Sequence, residues 1–429
     1  MSILIRDALV LTQDAERSIA RKDVFIEDGR IAEVSPRVPV EASYVITGRN
    51  LVMPGLVNTH THLPMTLMRG YGDDLPLEQW LTQKIWPVEQ RLTADLVAAG
   101  TRLALLEMVA SGTTCVADMY FFEDTTARIC REMGMRAFPG FSIIDFDTAE
   151  MAAEEMIPAC EAFLRQWRRD DLISPVVAPH STYSCSPETL SAAAELARRY
   201  DVYLHTHCSE TRQEVYEVVE RYGCRPLEQL EKTGALSDKT ILAHCGWITK
   251  EEVRTIARAG ACVSHNPVSN MKLATGGYTP LPELLAAGAT VTLGTDGAAS
   301  NNTLDLLESM KYAALIHKHH RWDATVAGAQ QVLDMATVSA ARFLGLSATV
   351  TEGAAADLAV IDLDAPGLVP LHDPVSQVVY AAQGGHVSST IINGKPVMLE
   401  RAFPLFDAQA VMDHARQAAH QLVDGRRYF

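Results

Sequence analysis

Strand-like apolar runs alternate with amphipathic helical stretches through most of the chain, which is the pattern of repeated β-α units. From residue 50 onward, eight apolar runs are strand candidates: 51–59, 113–119, 136–142, 173–179, 202–206, 240–244, 261–265 and 290–295. The clearest helical patterns between them cover residues 94–111, 187–200 and 250–259. Eight consecutive units predict an α/β fold of the (β/α)8 TIM-barrel type, whose usual length of roughly 250 residues fits this stretch.

The two ends of the chain have a different pattern, with short alternating β-like segments separated by turns. Residues 2–50 and 351–400 both show it, and Asn393-Gly394 is a hairpin signal. Neither end alone has enough strands to bury one face of a sheet, so we expect the two ends to pair. The expectation is a small β-sandwich domain built from residues 1–55 and 346–429, with the barrel of residues 56–345 inserted between its halves.

The composition narrows the class of partner and the compartment. Lys and Arg total 37 against 53 Asp and Glu in 429 residues, which gives a formal charge of −16. This excess of negative charge, without a basic run, argues against a nucleic-acid partner. No signal peptide and no uncharged apolar run of roughly 18 residues is recognisable, so no membrane partner is expected. The eight cysteines are scattered without a Cys-x-x-Cys pair, which favours reduced thiols and a cytoplasmic location.

Candidate metal ligands recur at the ends of the predicted strands, where a barrel carries its reactive groups. His60 and His62 follow the first strand, and their i, i+2 spacing on an extended chain points both rings to one face. His207 closes the fifth strand, His244 the sixth and Asp296 the eighth. One His-x-His pair or one Asp in a turn is weak evidence, but ligand-type residues at several strand ends are hard to explain structurally. Three imidazoles and a carboxylate suit a divalent ion such as zinc, with a position left for water.

The segments that carry these residues resemble a known family. The resemblance lies in four motifs, at residues 54–62, 207–210, 244–247 and 294–296. They are similar to those of the mononuclear amidohydrolases that deaminate aromatic bases, and most similar to 5′-methylthioadenosine/S-adenosylhomocysteine deaminases, close also to the triazine chlorohydrolases. The resemblance extends over nearly the whole chain, including residues 352–359 and 393–395. It implies a hydrolase with one zinc ion per chain, or another divalent transition metal, held by His60, His62, His207 and Asp296.

The chemistry of deamination, together with the resemblance, suggests roles for the remaining groups. Zinc lowers the pKa of its bound water towards about 7, and a purine C6 is a poor electrophile until a ring nitrogen is protonated. Glu210, three residues after His207, is the candidate that moves a proton from water to the ring and then to the departing ammonia. His244 and Asp296 are expected to orient the attacking water, and Asp296 also to take its proton. Both Glu210 and Asp296 would then contact the substrate as well.

Two further substrate contacts follow from the resemblance alone. In the resembling deaminases, a Glu after the first barrel strand and a His after the fourth contact the nucleoside, and the matching positions here are Glu89 and His180. Trp80 and Trp86 are candidates for the wall of a ring pocket, although core packing explains them nearly as well. We interpret His205, on the same face as His207, either as a residue that supports a metal ligand or as a packed residue. The histidines at residues 317–320 are interpreted as solvated surface.

The leading hypothesis is hydrolytic deamination of a small-molecule purine nucleoside, 5′-methylthioadenosine, with S-adenosylhomocysteine and adenosine as further candidates. The alternatives are a deaminase or dechlorinase of another ring, such as guanine, an oxidised purine or a triazine, and a non-catalytic barrel used for assembly. Buried ionisable groups are costly unless paired or metal-bound, which weighs against the last. Residues 143–156 contain five carboxylates and no Lys or Arg, so 5′-methylthioadenosine is expected to be preferred over a substrate with a carboxylate tail. The sequence leaves open whether the chain forms a homo-oligomer.

Overall fold

The computed structural model describes residues 1–423. Its strands are β1 (Ser2–Leu11), β2 (Ile19–Glu27), β3 (Arg30–Ser35), β4 (Tyr44–Ile46), β5 (Asn50–Pro54), β6 (Leu56–Thr61), β7 (Thr113–Tyr120), β8 (Arg136–Ile143), β9 (Val176–Pro179), β10 (Leu204–Cys208), β11 (Thr240–His244), β12 (Cys262–His265), β13 (Thr290–Leu293), β14 (Leu358–Asp362), β15 (Val387–Ile392) and β16 (Lys395–Met398).

Its helices are α1 (Leu77–Trp80), α2 (Trp86–Glu89), α3 (Ala94–Ala110), α4 (Glu123–Met133), α5 (Met156–Trp167), α6 (Pro187–Tyr200), α7 (Arg212–Tyr222), α8 (Pro226–Lys232), α9 (Lys250–Ala259), α10 (Pro267–Lys272), α11 (Leu281–Ala286), α12 (Ala298–Asn301), α13 (Leu306–Arg321), α14 (Ala329–Ala336), α15 (Val338–Phe343), α16 (Pro374–Tyr380) and α17 (Ala408–Leu422). A π-helical turn, Leu81–Ile85, joins α1 to α2. Short 3-10 turns lie at Leu63–Met68, Ala153–Glu155, Pro366–Leu368 and Gly384–His386.

Strands β6 to β13 form one parallel sheet in sequential order, and the helices between them pack against it. The sheet closes on itself, because the backbone N–H groups of Thr295 and Asp296 donate to the carbonyl of His60, at 3.2 and 3.0 Å. Inside the barrel, the Thr59 hydroxyl bonds to the hydroxyls of Ser264 and Thr292, each at 2.7 Å, so polar groups satisfy one another across the interior. The predicted α/β fold with a (β/α)8 barrel is confirmed.

Strands from both chain ends form a second sheet, in the order β16-β15-β14-β5-β1-β2-β3, with β4 also pairing with β1. Strand β1 pairs with β4 near its start and with β5 near its end, and its register with β2 shifts between Ile5 and Ala8. The apolar core of this domain includes Val24, Val52 and Leu358, which come from both ends of the chain. The expectation that the two ends pair into one β domain is therefore confirmed. The residue limits given above for the two domains stay a prediction.

The structure corrects the first predicted strand. The apolar run 51–59 is two strands, because the chain leaves the β domain after β5 and enters the barrel with β6. Gly55 lies between them, where a Cβ atom would come within 2.1 Å of the Thr114 hydroxyl oxygen. Only glycine leaves room for the Thr114 side chain there, and the single predicted strand ran through this Pro54-Gly55 break. The predicted strand 202–206 is also shifted, and lies two residues later in β10.

The C-terminal helix α17 packs against α3 of the barrel, and Asp407 caps its first turn by accepting from the backbone of Gln409 and Ala410. All eight cysteines are buried free thiols, as their scatter in the sequence predicted. Among residues 1–423, no helix combines the length and the apolar character that crossing a membrane requires.

Candidate metal and active site

Five predicted site residues converge at the carboxyl ends of the barrel strands. His60 lies in β6 with His62 just after it, His207 lies in β10, His244 ends β11, and Asp296 follows β13. All five are buried. Parallel strands bring their carboxyl ends to one rim of a barrel, which is why residues more than two hundred positions apart meet here.

The donor atoms of the predicted ligands have the spacing of a metal site. His62 Nε2 lies 3.4 Å from His207 Nε2 and 3.2 Å from Asp296 Oδ1, and His60 Nε2 lies 3.5 Å from the same oxygen. Donors at about 2.0–2.1 Å around a tetrahedral zinc ion are separated from one another by roughly 3.3 Å. His60 Nε2 is buried and has no hydrogen-bond partner in the described part of the chain. These four residues therefore fit a divalent ion.

The second ring nitrogen of each imidazole has a partner that fixes the ring. Nδ1 of His62 donates to the carbonyl oxygen of Met119 at 2.6 Å, and Nδ1 of His207 donates to that of His180 at 2.8 Å. Because a carbonyl only accepts, Nδ1 of both rings carries a proton, and Nε2 is the atom that faces the common point. His60 Nδ1 lies 2.9 Å from Nε2 of His205, so the His205 ring helps to fix the orientation of the candidate metal ligand His60.

The backbone is strained where two of these strands end. Asp296 has a φ of 61° and His244 a φ of 73°, both in the left-handed region that residues other than glycine rarely adopt. Gly297 donates its backbone N–H to Asp296 Oδ1 at 2.9 Å, and the Ser269 hydroxyl donates to Oδ2. Such conformations cost about 1–3 kcal/mol each and persist where the surroundings fix them, which is common at active sites.

Glu210 and His244 face each other across the site. Glu210 Oε2 lies 3.8 Å from His244 Nε2. Nδ1 of His244 donates to Asn270 Oδ1 at 2.8 Å, which leaves Nε2 directed towards Glu210. A donor atom of His244 also lies within 4.8 Å of donor atoms of His60 and Asp296. Both Glu210 and His244 can therefore contact a molecule bound next to the metal ligands.

Burial and neighbouring charges shift the pKa values of these groups in different directions. Burial lowers the pKa of His60 to about 3. Burial also disfavours a charged His62, but the adjacent Asp296 outweighs this effect and raises the His62 pKa to about 9. Burial opposes ionisation of Asp296, yet the neighbouring imidazoles of His60 and His62 hold its pKa well below its usual range. Burial raises the pKa of Glu210. An ionised Asp296 therefore lies beside a carboxyl that holds its proton more tightly than usual.

A cavity of about 390 Å³ opens over the metal ligands, which is large enough for a nucleoside-sized molecule. Its walls are largely apolar and aromatic, from Leu77, Trp80, Leu81, Ile85, Trp86, Tyr120, Phe121, Ile144, Phe146 and Leu273. Glu89 and His180 supply polar groups at the wall. Glu89 accepts a 2.6 Å hydrogen bond from the Tyr120 hydroxyl, and His180 Nδ1 lies 2.8 Å from the Ser184 hydroxyl.

An outer cavity of about 280 Å³ adjoins the first one and shares Trp86, His180 and Tyr183 with it. Asp145 and Arg221 also line this outer cavity. Among the residues described, no Lys or Arg lines the inner cavity. Arg221 belongs to α7 and is a cation that lies near the site although nothing in the sequence pattern marks it.

The predicted site residues thus lie together at the carboxyl ends of the barrel strands. The sequence analysis did not identify several residues that form hydrogen bonds with them. Tyr120, Ser269 and Asn270 contact predicted site residues, and each is a single polar residue without a motif of its own. The interpretation of residues 317–320 was wrong for His317, which is buried with its Nε2 3.0 Å from Nε2 of His265. This residue lies on the face of α13 that packs inward, whereas His319 and His320 are exposed as predicted.

Comparison with known proteins gives consistent matches along nearly the whole chain. A model of the Amidohydrolase family matches residues 51–397. A 5′-deoxyadenosine deaminase of Methanopyrus kandleri is 41% identical over 416 residues, covering 95% of this chain and 96% of that protein. A 5-methylthioadenosine/S-adenosylhomocysteine deaminase of Thermococcus onnurineus is 43% identical over 404 residues, covering 94% and 95%. The crystal structure of an adenosine deaminase from Xanthomonas campestris with bound zinc has a TM-score of 0.94 and 38% identity, covering 98% of both chains.

Proposed function

Because the chain belongs to the amidohydrolase family, we propose that it is a zinc-dependent aminohydrolase that converts 5′-methylthioadenosine to its inosine analogue and ammonia. The observation that carries the proposal is the partly buried Glu210 carboxyl, 3.8 Å from His244 and lining a cavity beside four side chains that fit a divalent ion. A ring deaminase requires this combination, because it must supply a nucleophile to the ring carbon and a proton to the adjacent ring nitrogen.

The residues His60, His62, His207 and Asp296 would hold the metal. When bound there, a zinc ion lowers the pKa of water and so supplies a nucleophile at neutral pH. Because Nδ1 of His62 and of His207 is bonded to a carbonyl, Nε2 of each ring would be the atom that binds the ion, and the ionised Asp296 would offset part of its charge.

Hydrolytic deamination exchanges a C–N bond for a C–O bond, so the two protons of one water end on the ring nitrogen and on ammonia. Glu210 accepts the first proton from the attacking water and donates it to the ring nitrogen, for which its raised pKa is suited. His244 accepts a hydrogen bond from the water and orients it. Asp296 takes the second proton, which then leaves with the amino group.

The polar groups of the cavity wall suit a nucleoside. One oxygen of Glu89 accepts from the Tyr120 hydroxyl, which leaves the other oxygen to accept from ribose hydroxyls. Burial raises the pKa of Glu89 and lowers that of His180 to about 3, so His180 contacts the substrate as a neutral imidazole. The aromatic side chains of Trp80, Trp86 and Phe146 supply apolar area for the base and the 5′ group.

An apolar 5′ group is the feature that selects the substrate in this proposal. The names of the relatives give 5′-deoxyadenosine, 5-methylthioadenosine and S-adenosylhomocysteine as their substrates, and all three compounds lack a 5′-hydroxyl. Among the residues described, no Lys or Arg lines the inner cavity, the one of about 390 Å³ over the candidate metal ligands. This cavity therefore suits a methylthio group better than a carboxylate. S-adenosylhomocysteine would extend its tail into the outer cavity, where Arg221 is the available cation.

The test is release of ammonia from a panel of rings by the purified, zinc-loaded protein. The panel contains 5′-methylthioadenosine, 5′-deoxyadenosine, S-adenosylhomocysteine, adenosine and guanine, with chloride release from a chlorotriazine measured in parallel. We expect the highest kcat/KM for 5′-methylthioadenosine, and adenosine to be weaker because its 5′-hydroxyl meets apolar side chains. A preference for guanine or for the triazine would establish the alternative ring hydrolase, and no turnover of any ring would overturn the proposal.

A further inference from the structure

Glu214 lies near the catalytic groups but does not line the cavity. It belongs to the first turn of α7 and is buried, with 4% of its surface exposed. One of its carboxylate oxygens accepts the backbone N–H of Ser209 at 2.9 Å, and the other accepts that of Glu210 at 2.7 Å. Both oxygens of the Glu214 carboxylate therefore accept hydrogen bonds from the turn that joins β10 to α7.

The helix α9 supplies an internal comparison for this arrangement. Thr249 caps α9, and Glu252 three residues later accepts the Thr249 backbone N–H at 2.7 Å, which is an ordinary capping box. The other Glu252 oxygen accepts from Arg225 Nε at 3.0 Å. Thr211 caps α7 in the same way, by accepting from the backbone of Glu214 at 3.0 Å. Glu214, however, does not bond to the Thr211 backbone. Its carboxylate reaches past the cap to the two preceding residues.

The turn that Glu214 holds is a strained one. Ser209 has a φ of 50°, in the left-handed region that favours glycine. Its carbonyl also accepts the backbone N–H of Trp247 at 2.9 Å, which ties the turn to the segment after β11. Two hydrogen bonds to a buried carboxylate are a strong constraint, because they fix both peptide units that precede the Glu210 side chain.

We propose that Glu214 is a positioning residue, whose carboxylate holds the Ser209–Glu210 backbone so that the Glu210 carboxyl faces the metal ligands and His244. This inference rests on the proposed function, because it assumes that Glu210 transfers the proton. Glu214 itself touches neither the substrate nor the water. Its effect is on the orientation of a group whose misplacement by about 1 Å can cost as much as 10²-fold in rate.

The experiment compares Glu214→Gln with Glu252→Gln, the equivalent change in the ordinary capping box. A glutamine amide can accept only one of the two N–H groups, since its other end is a donor. We expect Glu214→Gln to lower kcat at least about tenfold, with KM for 5′-methylthioadenosine changed less than about threefold and about one metal ion per chain retained. Glu252→Gln should lower the unfolding temperature but keep kcat within about twofold of the unchanged protein.

Two further variants keep the proposal testable. Glu214→Asp keeps the carboxylate, but its side chain is too short to reach both N–H groups, so it should also lower kcat. This variant replaces Glu214→Gln in the comparison if the glutamine variant does not fold. Adding Ser209→Gly to Glu214→Gln should restore part of kcat, because glycine adopts the left-handed conformation without being held.

The proposal fails if Glu214→Gln and Glu214→Asp keep the kcat of the Glu252→Gln control while Glu210→Gln is inactive. If Glu210→Gln is itself active, it is the proposed role of Glu210 that fails. The two failures are therefore distinguishable.

Discussion

Asp296, Glu210 and Glu89 are three carboxylates of one cavity, and their surroundings shift their pKa values in different directions. The two neighbouring imidazoles outweigh burial at Asp296 and keep it ionised. Burial dominates at Glu210 and Glu89 and raises the pKa of both. Carboxylates of one cavity thereby suit different roles: Asp296 suits the binding of a cation, and Glu210, which holds its proton more tightly than usual, suits proton transfer.

Replacing Glu210 with Gln should separate proton transfer from binding. Glutamine keeps the size of the side chain but cannot carry a proton at neutral pH, so we expect kcat to fall at least about 10²-fold. The metal content and the affinity for 5′-methylthioadenosine should stay close to those of the unchanged protein. Glu220→Gln, on the exposed side of α7, is the matched control and should keep full activity. A Glu210→Gln variant with near-normal kcat would show that another group transfers the proton.

Arg221 should matter only for substrates with a charged tail. It lines the outer cavity, and a charge-assisted hydrogen bond to a carboxylate is worth about 1.5–3 kcal/mol, or roughly tenfold or more in kcat/KM. Arg221→Gln should therefore lower kcat/KM for S-adenosylhomocysteine by at least about tenfold and leave 5′-methylthioadenosine within about twofold. Arg212→Gln, on the same helix but outside both cavities, is the control. Equal effects on the two substrates would mean that Arg221 does not meet the tail.

The metal-ligand candidates were predictable residue by residue, but their partners were not. His60, His207 and Asp296 stand out because they are ligand-type residues at the ends of apolar strands. Tyr120 and Arg221 reach the cavities through the packing of separate β-α units, which no spacing along the chain encodes. These contacts depend on the tertiary structure and form only when the barrel has folded.

At the scale of elements, the amphipathic helices were the most accurate predictions. The periodic patterns at 187–200 and 250–259 match α6 and α9 at both ends, where Ser186 and Thr249 cap the first turns. The strands were less accurate, because a buried parallel strand is apolar throughout and lacks an alternating pattern that would mark its ends. The run 51–59 was therefore predicted as one strand, although it crosses the expected domain limit after residue 55.

The junction between β13 and β6 closes the barrel next to the metal ligands, and Gly294 lies in it. A Cβ atom on Gly294 would come within 2.3 Å of Asn266 Oδ1 and 2.8 Å of the His60 carbonyl oxygen. Gly294→Ala should therefore push the two strand ends apart, lower the unfolding temperature and reduce the metal content together with kcat. Gly385→Ala is the control, since a Cβ there meets nothing within 4 Å. Normal metal content in Gly294→Ala would show that the junction tolerates the displacement.

At the scale of the whole molecule, the two domains differ in how local their strand pairing is. Consecutive barrel strands are neighbours in the sheet, whereas β5 pairs with β14 from the far end of the chain. The β domain therefore forms only when both ends of the chain have met, and Gly55 donates its backbone N–H to the Asp357 carbonyl at 2.9 Å where β5 gives way to the barrel. The sequence predicted this pairing because neither end has enough strands to cover a sheet face by itself.

Metal binding should stabilise the whole chain, because the donor atoms come together only in the folded barrel. A ligand that binds only the folded state stabilises it by about 2.7 kcal/mol when its free concentration is 100 times its Kd. Removing the ion with a chelator should therefore abolish activity and lower the unfolding temperature, and adding zinc back should restore both. His207→Ala should lose most of the stabilisation by zinc along with the activity, whereas His319→Ala, at an exposed position of α13, should behave like the unchanged protein. If the metal-free and zinc-loaded proteins unfolded at the same temperature, the four residues would not be holding an ion.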